Sequence, residues 1–82
     1  DFWAEWWGPC RQFAPSVDEV AAAYEGRAVV GKVNVDHHPT IASKYGIRSI
    51  PNLLVFSDGK VQQQIVGAVE KGEISEAINK LL

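Results

Sequence analysis

The stretch Trp6-Trp7-Gly8-Pro9-Cys10 holds the only thiol in this sequence. It reads as a dithiol redox loop with one sulfur missing, because Trp7 stands where a first cysteine would be expected. A single cysteine excludes an internal disulfide framework, and it excludes a four-thiolate zinc site. His37 and His38 are the other residues able to hold a metal. They are adjacent, so their side chains diverge; with Cys10 they make a poor ligand set and read as solvated loop residues. Neither a metal nor a cofactor is expected.

The elements that must position this loop follow from periodicity. From Pro9 to Tyr24, apolar Phe13, Val17, Val20, Ala21 and Tyr24 fall on one face of an amphipathic helix. Pro9 suits its first position, where a missing N–H costs nothing; Gly26 supplies a stop, and Pro15 should bend it. "RAVVGKVNVD" alternates through Val29, Gly31, Val33 and Val35, which predicts a mostly buried strand over 28–35, with Lys32 interrupting one face. "PTIASKYG" allows two turns of helix closed by Gly46. Residues 52–66 predict a β-hairpin around Asp58-Gly59, a pair that tolerates the positive φ angles of a type I′ turn, and the second strand reads as an edge. Ile74, Ala77, Ile78, Leu81 and Leu82 share one side of a terminal helix. The order is helix, strand, helix, two strands, helix, with the strand remnant "DFWA" in front.

Composition narrows the partners. The 82 residues are 46% hydrophobic and 22% charged, a profile of one small globular domain over 1–82. Eight Lys and Arg scattered among ten Asp and Glu give a net charge of −2. There is no basic stripe for phosphates and no polybasic patch for anionic lipid, so neither nucleic acid nor membrane is expected as a partner. Apolar runs such as Leu53–Phe56 fall far short of the roughly 18 residues of a membrane span, and no leader pattern is present. These features predict a soluble, cytoplasmic chain.

"DFWAEW", "GPCRQFAP", "KVNVD", "YGIRSIPN", "DGK" and "IVGA" occur in the order and spacing of bacterial-type thioredoxins, and the whole chain resembles that family. The resemblance implies an α/β fold, a central sheet flanked by helices in three layers, with the redox loop at the N-terminus of the long helix. It also implies thiol–disulfide chemistry. In the family's loop the first cysteine, its thiolate favoured by the helix N-terminus, attacks a substrate disulfide; the second, more buried, resolves the mixed disulfide.

Carried over by position, the resemblance places Trp7 at the attacking site and Cys10 at the resolving site, with Gly8 and Pro9 shaping the turn between them. Asp1 matches a buried carboxylate that assists proton transfer, and Lys32 its neighbouring lysine. Ile50-Pro51 matches the family's cis-proline, whose loop offers its backbone to an extended substrate. Trp6, Gly67 and Ala68 match residues lining the substrate groove, and Trp3 a packed tryptophan behind it. Asn52 stands where threonine is frequent. Protein substrates are the partners implied, through the groove beside Pro51.

Trp7 has no thiol and no basic nitrogen to replace one. The resemblance therefore implies a thioredoxin-fold protein without dithiol reductase activity. A weak monothiol protein acting through Cys10, and a non-catalytic self-associating scaffold or binding module, stay open beside it. The sequence also lacks the family's first strand, first helix and most of its central strand, of which "DFWA" is the tail. Backbone accounting then predicts unpaired groups on both sides of that slot. If the chain is complete, the expectation is an oligomer or a rearranged fold, either by antiparallel pairing of 28–35 with 53–57 or by a strand from a second copy.

Overall fold

A computed structural model describes all 82 residues. In chain order the elements are β1 (Phe2–Trp3), α1 (Gly8–Ala23), β2 (Val33–Asn34), α2 (Pro39–Lys44), β3 (Asn52–Ser57), β4 (Lys60–Val66) and α3 (Lys71–Asn79). The four strands form one sheet in the order β2-β1-β3-β4. β1 runs parallel to β2, with Phe2 opposite Val33 and Trp3 opposite Asn34, and antiparallel to β3, with Phe2 opposite Asn52.

The hairpin follows the sequence expectation closely. Ser57 pairs with Lys60 across a two-residue loop, and Asp58 (φ 54°) and Gly59 (φ 76°) both take the positive φ of a type I′ turn. β4 is the edge strand. A bulge between Val55 and Phe56 skips Gln62 in the register, a device that twists and interrupts an exposed edge. α1 starts one residue ahead of the expected Pro9 and runs through Pro15, which removes one internal donor without ending the helix.

Two expectations are corrected. The strand predicted over 28–35 exists only at Val33–Asn34, because β1 offers partners for just those two residues. Val33 donates to the Asp1 carbonyl at 2.8 Å and Val35 to the Trp3 carbonyl at 2.9 Å, and the ladder stops there. The rearranged strand order is also overturned. Residues 28–35 do not pair with 53–57; the short β1 keeps its place between the valine-rich segment and the hairpin.

The core lies on one face of the sheet, where α1 and α3 pack together. Phe13, Val17, Val20 and Tyr24 from α1 meet Leu53 from β3 and Ile74 and Ile78 from α3. Burying a side chain of this kind contributes about 1.5–3 kcal/mol, which makes this cluster the main stabilising term. Leu82, expected on the buried side of the last helix, lies past its end and is exposed. One polar contact fixes how the two helices meet: the Tyr24 hydroxyl donates to Asn79 Oδ1 at 2.6 Å, with the Ser75 carbonyl at 3.3 Å. At the surface, Lys71 Nζ reaches Glu19 Oε2 at 2.8 Å.

Removing the hydroxyl leaves part-buried acceptors without their donor. Tyr24→Phe is expected to lower the unfolding free energy by about 1 kcal/mol, read from urea denaturation. Lys71→Ala breaks only the solvent-exposed pair and is expected to leave the midpoint close to that of the parent chain.

Candidate functional site

The redox-loop residues sit where β1 hands over to α1. Ala4 is fully buried, so the chain turns against the core at once, and the Trp7 N–H donates back to the Ala4 carbonyl at 3.3 Å. Trp7 is the N-cap of α1 in extended conformation (φ −98°, ψ 112°), and its side chain makes no capping hydrogen bond. Its carbonyl accepts from Cys10 N–H at 3.1 Å and from Arg11 N–H at 3.3 Å. Gly8 and Pro9 form the first turn, so the missing N–H of Pro9 falls where no intrahelical partner exists.

Cys10, on the first turn of α1, points inward and is 4% exposed, a free thiol with no second sulfur in the chain. The indoles point outward, Trp6 64% and Trp7 41% exposed, their ring centres 5.9 Å apart and tilted by 60°. Trp6 is held: its Nε1–H donates to Asp36 Oδ2 at 2.8 Å. Asp36 in turn sits in a turn made by Asn34, whose Oδ1 accepts from the backbone N–H of Asp36 (2.9 Å) and His37 (3.3 Å). Sequence reasoning missed this support. Its signal was present in "NVDH", since Asn commonly caps the backbone two and three residues ahead.

The Ile50–Pro51 peptide bond is cis. Pro51 is among the most buried side chains, and its carbonyl accepts from the Gly67 N–H at 2.8 Å. Gly67 has φ +91°, a conformation that side chains beyond glycine rarely adopt, and this lets β4 leave the sheet beside Pro51. The chain then passes through Ala68, which lines a shallow depression with Gln12, Phe13 and Ser16 of α1. Gly67 is thus tied to buried Pro51, and Ala68, next in the chain, lies against α1. Asn52 is buried in β3, where its Oδ1 lies 3.4 Å from Gln64 Nε2. The half-buried Trp3 occupies β1.

The pair read as Asp1 and Lys32 is arranged differently. Asp1 Oδ1 is buried and has no hydrogen-bond partner, which makes it a notable polar atom in so small a core. Lys32 Nζ does not engage it; it forms an ion pair with Asp18 Oδ1 at 2.7 Å. The backbone nitrogen of Asp1 donates to the Gly31 carbonyl at 3.0 Å. His37 and His38 are both exposed, and no group of His, Cys, Asp and Glu is placed to hold a metal ion. No helix is long and apolar enough to cross a membrane.

The thioredoxin family model matches residues 1–80. The chain belongs to the thioredoxin family. It is 54% identical to thioredoxin 1 of Nostoc sp. over 82 residues, covering all of this chain and 77% of that protein. It is 51% identical to thioredoxin 1 of Synechococcus elongatus with the same coverage. Against the thioredoxin of Chlorobaculum thiosulfatiphilum it is 49% identical over 80 residues, 98% of this chain and 74% of that protein. Its place is therefore in the thiol–disulfide oxidoreductase superfamily, on a thioredoxin fold.

One measurement follows from the geometry. Cys10 is expected to react with a disulfide reagent at least about tenfold more slowly in native buffer than in denaturant, because its sulfur is shielded.

Proposed function

We propose that this thioredoxin-family chain has lost dithiol reductase activity and keeps the surface that would receive an extended protein segment. The observation that carries the reading is the occupancy of the helix N-terminus. The position best able to favour a thiolate is taken by the Trp7 N-cap, and the one sulfur lies a turn further on, buried.

The electron balance leads the same way. Reducing a substrate disulfide takes two electrons, supplied when two thiols of the reductase lose their protons and join as a new disulfide. The first sulfur must attack, forming a mixed disulfide and releasing one substrate thiolate. The second must displace the first, releasing the other. With one cysteine in the sequence the second displacement has no thiol to perform it, and burial of Cys10 hinders the first. The same burial weighs against a monothiol cycle through Cys10. Asp1 and Lys32, in the proton-transfer positions of the family, then have no mixed disulfide to serve.

What supports a retained binding surface is the grouping of buried Pro51, Gly67 and Ala68 beside α1, together with two exposed indoles at the loop. Trp6 is fixed by Asp36 and Trp7 is in contact with it, so the pair offers apolar area at little cost in side-chain freedom. Proteins with an extended segment are the class of partner proposed, with the backbone of Ile50, ahead of cis-Pro51, supplying the edge.

The test is reduction of insulin with a chemical thiol as electron donor. The parent chain is expected to give no rate above the donor alone, whereas Trp7→Cys is expected to raise the rate at least about a hundredfold over the parent. Trp7→Ser, which opens the same space without a sulfur, should stay inactive. Turnover by the parent chain that disappears when Cys10 is alkylated would overturn the reading.

A further inference from the structure

We infer that the indole pair Trp6–Trp7, together with the carboxylate of Asp36, is a binding site for an arginine side chain carried by an extended protein segment. This deepens the reading that the chain keeps a surface for such a segment, and it rests on that reading. The first reason is electrostatic. Trp6 Nε1–H donates to Asp36 Oδ2 at 2.8 Å, and a carboxylate acceptor pulls the indole proton toward itself and leaves the ring face more electron-rich. Trp7 sets a second ring beside it, with centres 5.9 Å apart and planes tilted by 60°. The tilt keeps the two rings from stacking flush, so π surface stays open to a cation on both, and both indoles are exposed.

The second reason is that nothing in the chain answers this charge. Tyrosine faces are covered by cations of the chain itself, Arg27 lying over Tyr24 at 4.8 Å and Lys44 over Tyr45 at 5.4 Å. Neither indole is covered in this way. Arg11, the basic residue nearest in sequence, turns its Nη1 to the Glu5 carbonyl at 3.4 Å instead. Asp36 also lacks an ion-pair partner, since the lysines that form such pairs meet Asp18, Glu19 and Glu76. Glu5, exposed beside Trp6, adds a second carboxylate to the loop. Unfilled ring faces and an unpaired carboxylate on one surface attract a cation and repel an acidic segment.

The form of the site selects arginine. A guanidinium is flat, so it stacks on an indole face while its fork of N–H donors reaches Asp36 Oδ1, the oxygen that Trp6 leaves free. An ammonium is compact and more strongly hydrated, and it gives up more water to meet the same rings. The groups are also held before anything binds. Asn34 Oδ1 fixes the turn at Asp36 and His37, Asp36 fixes Trp6, and the backbone of Trp7 is tied at the head of α1. Little side-chain freedom is lost on binding, which favours affinity.

Titration of the 82-residue chain with acetylated and amidated heptapeptides tests it, read from tryptophan fluorescence and from the Trp6 Nε1–H resonance. The panel is Ala-Val-Ser-Val-Ser-Val-Ala with arginine placed at each position in turn, and the same set with citrulline, which keeps the shape and loses the charge. At one position or more, the arginine peptide is expected to bind at least about fivefold more tightly than its citrulline counterpart. Trp7→Leu keeps an apolar side chain without a π face, and Asp36→Asn still accepts from Trp6 without a charge. Each is expected to bring the ratio below about twofold while the citrulline peptide binds as before. Equal binding of arginine and citrulline peptides at every position overturns the inference and leaves the retained binding surface standing. No binding by any peptide at millimolar concentration overturns both. A preference that both variants keep overturns the inference, because the cation then sits elsewhere. Shielding of the indoles that grows with protein concentration in the absence of peptide also overturns it, because a second copy then covers the rings.

Discussion

Everything in this structure is tied through the backbone of two residues. Phe2 pairs with Val33 on one side and Asn52 on the other, and Trp3 pairs with Asn34, joining β2 to the hairpin and setting the position from which the chain enters α1. Phe2 is buried, and Ala4 immediately after it has no exposed surface, so the segment is clamped by packing as well as by hydrogen bonds. The loop at Trp7 and the cis-Pro51 turn stand at the ends of strands that share this one connector. So short a ladder holds because α1 and α3 cover the sheet with a single apolar cluster, and because Tyr24 fixes the contact between them.

Local chemistry was the most legible part of the sequence. Asp58-Gly59 has few ways to connect two alternating strands, and the apolar spacing of α1 and α3 admits one buried face each. The family resemblance located the cis bond before Pro51, which no periodicity argument could have supplied. The valine-rich segment departs from its expectation for a reason that lies outside it. Residues 28–32 have the composition of a strand, but a strand is a pairing, and β1 reaches only Val33 and Asn34. Likewise nothing in the sequence spacing could tell that Lys32 meets Asp18 and not Asp1, since both carboxylates are reached only through tertiary packing. The support of Trp6 by Asp36 needed the same three-dimensional closure, across thirty residues of chain.

At the loop, Trp7 caps α1 without a side-chain hydrogen bond and sets its indole beside that of Trp6. The charge-favouring end of the helix persists, with the Trp7 carbonyl still receiving the N–H groups of Cys10 and Arg11. The single sulfur lies a turn into the helix, where Cys10 is buried and packs as a small side chain of α1.

The indole pair has a spectroscopic consequence. Two identical chromophores with centres 5.9 Å apart and planes tilted by 60° have coupled transition dipoles, and Trp6 cannot swing freely while Asp36 holds its nitrogen. The loop therefore carries its own chiral optical label. The circular dichroism of the tryptophan bands carries the geometry of residues 6 and 7, beside the contribution of Trp3, with no added dye.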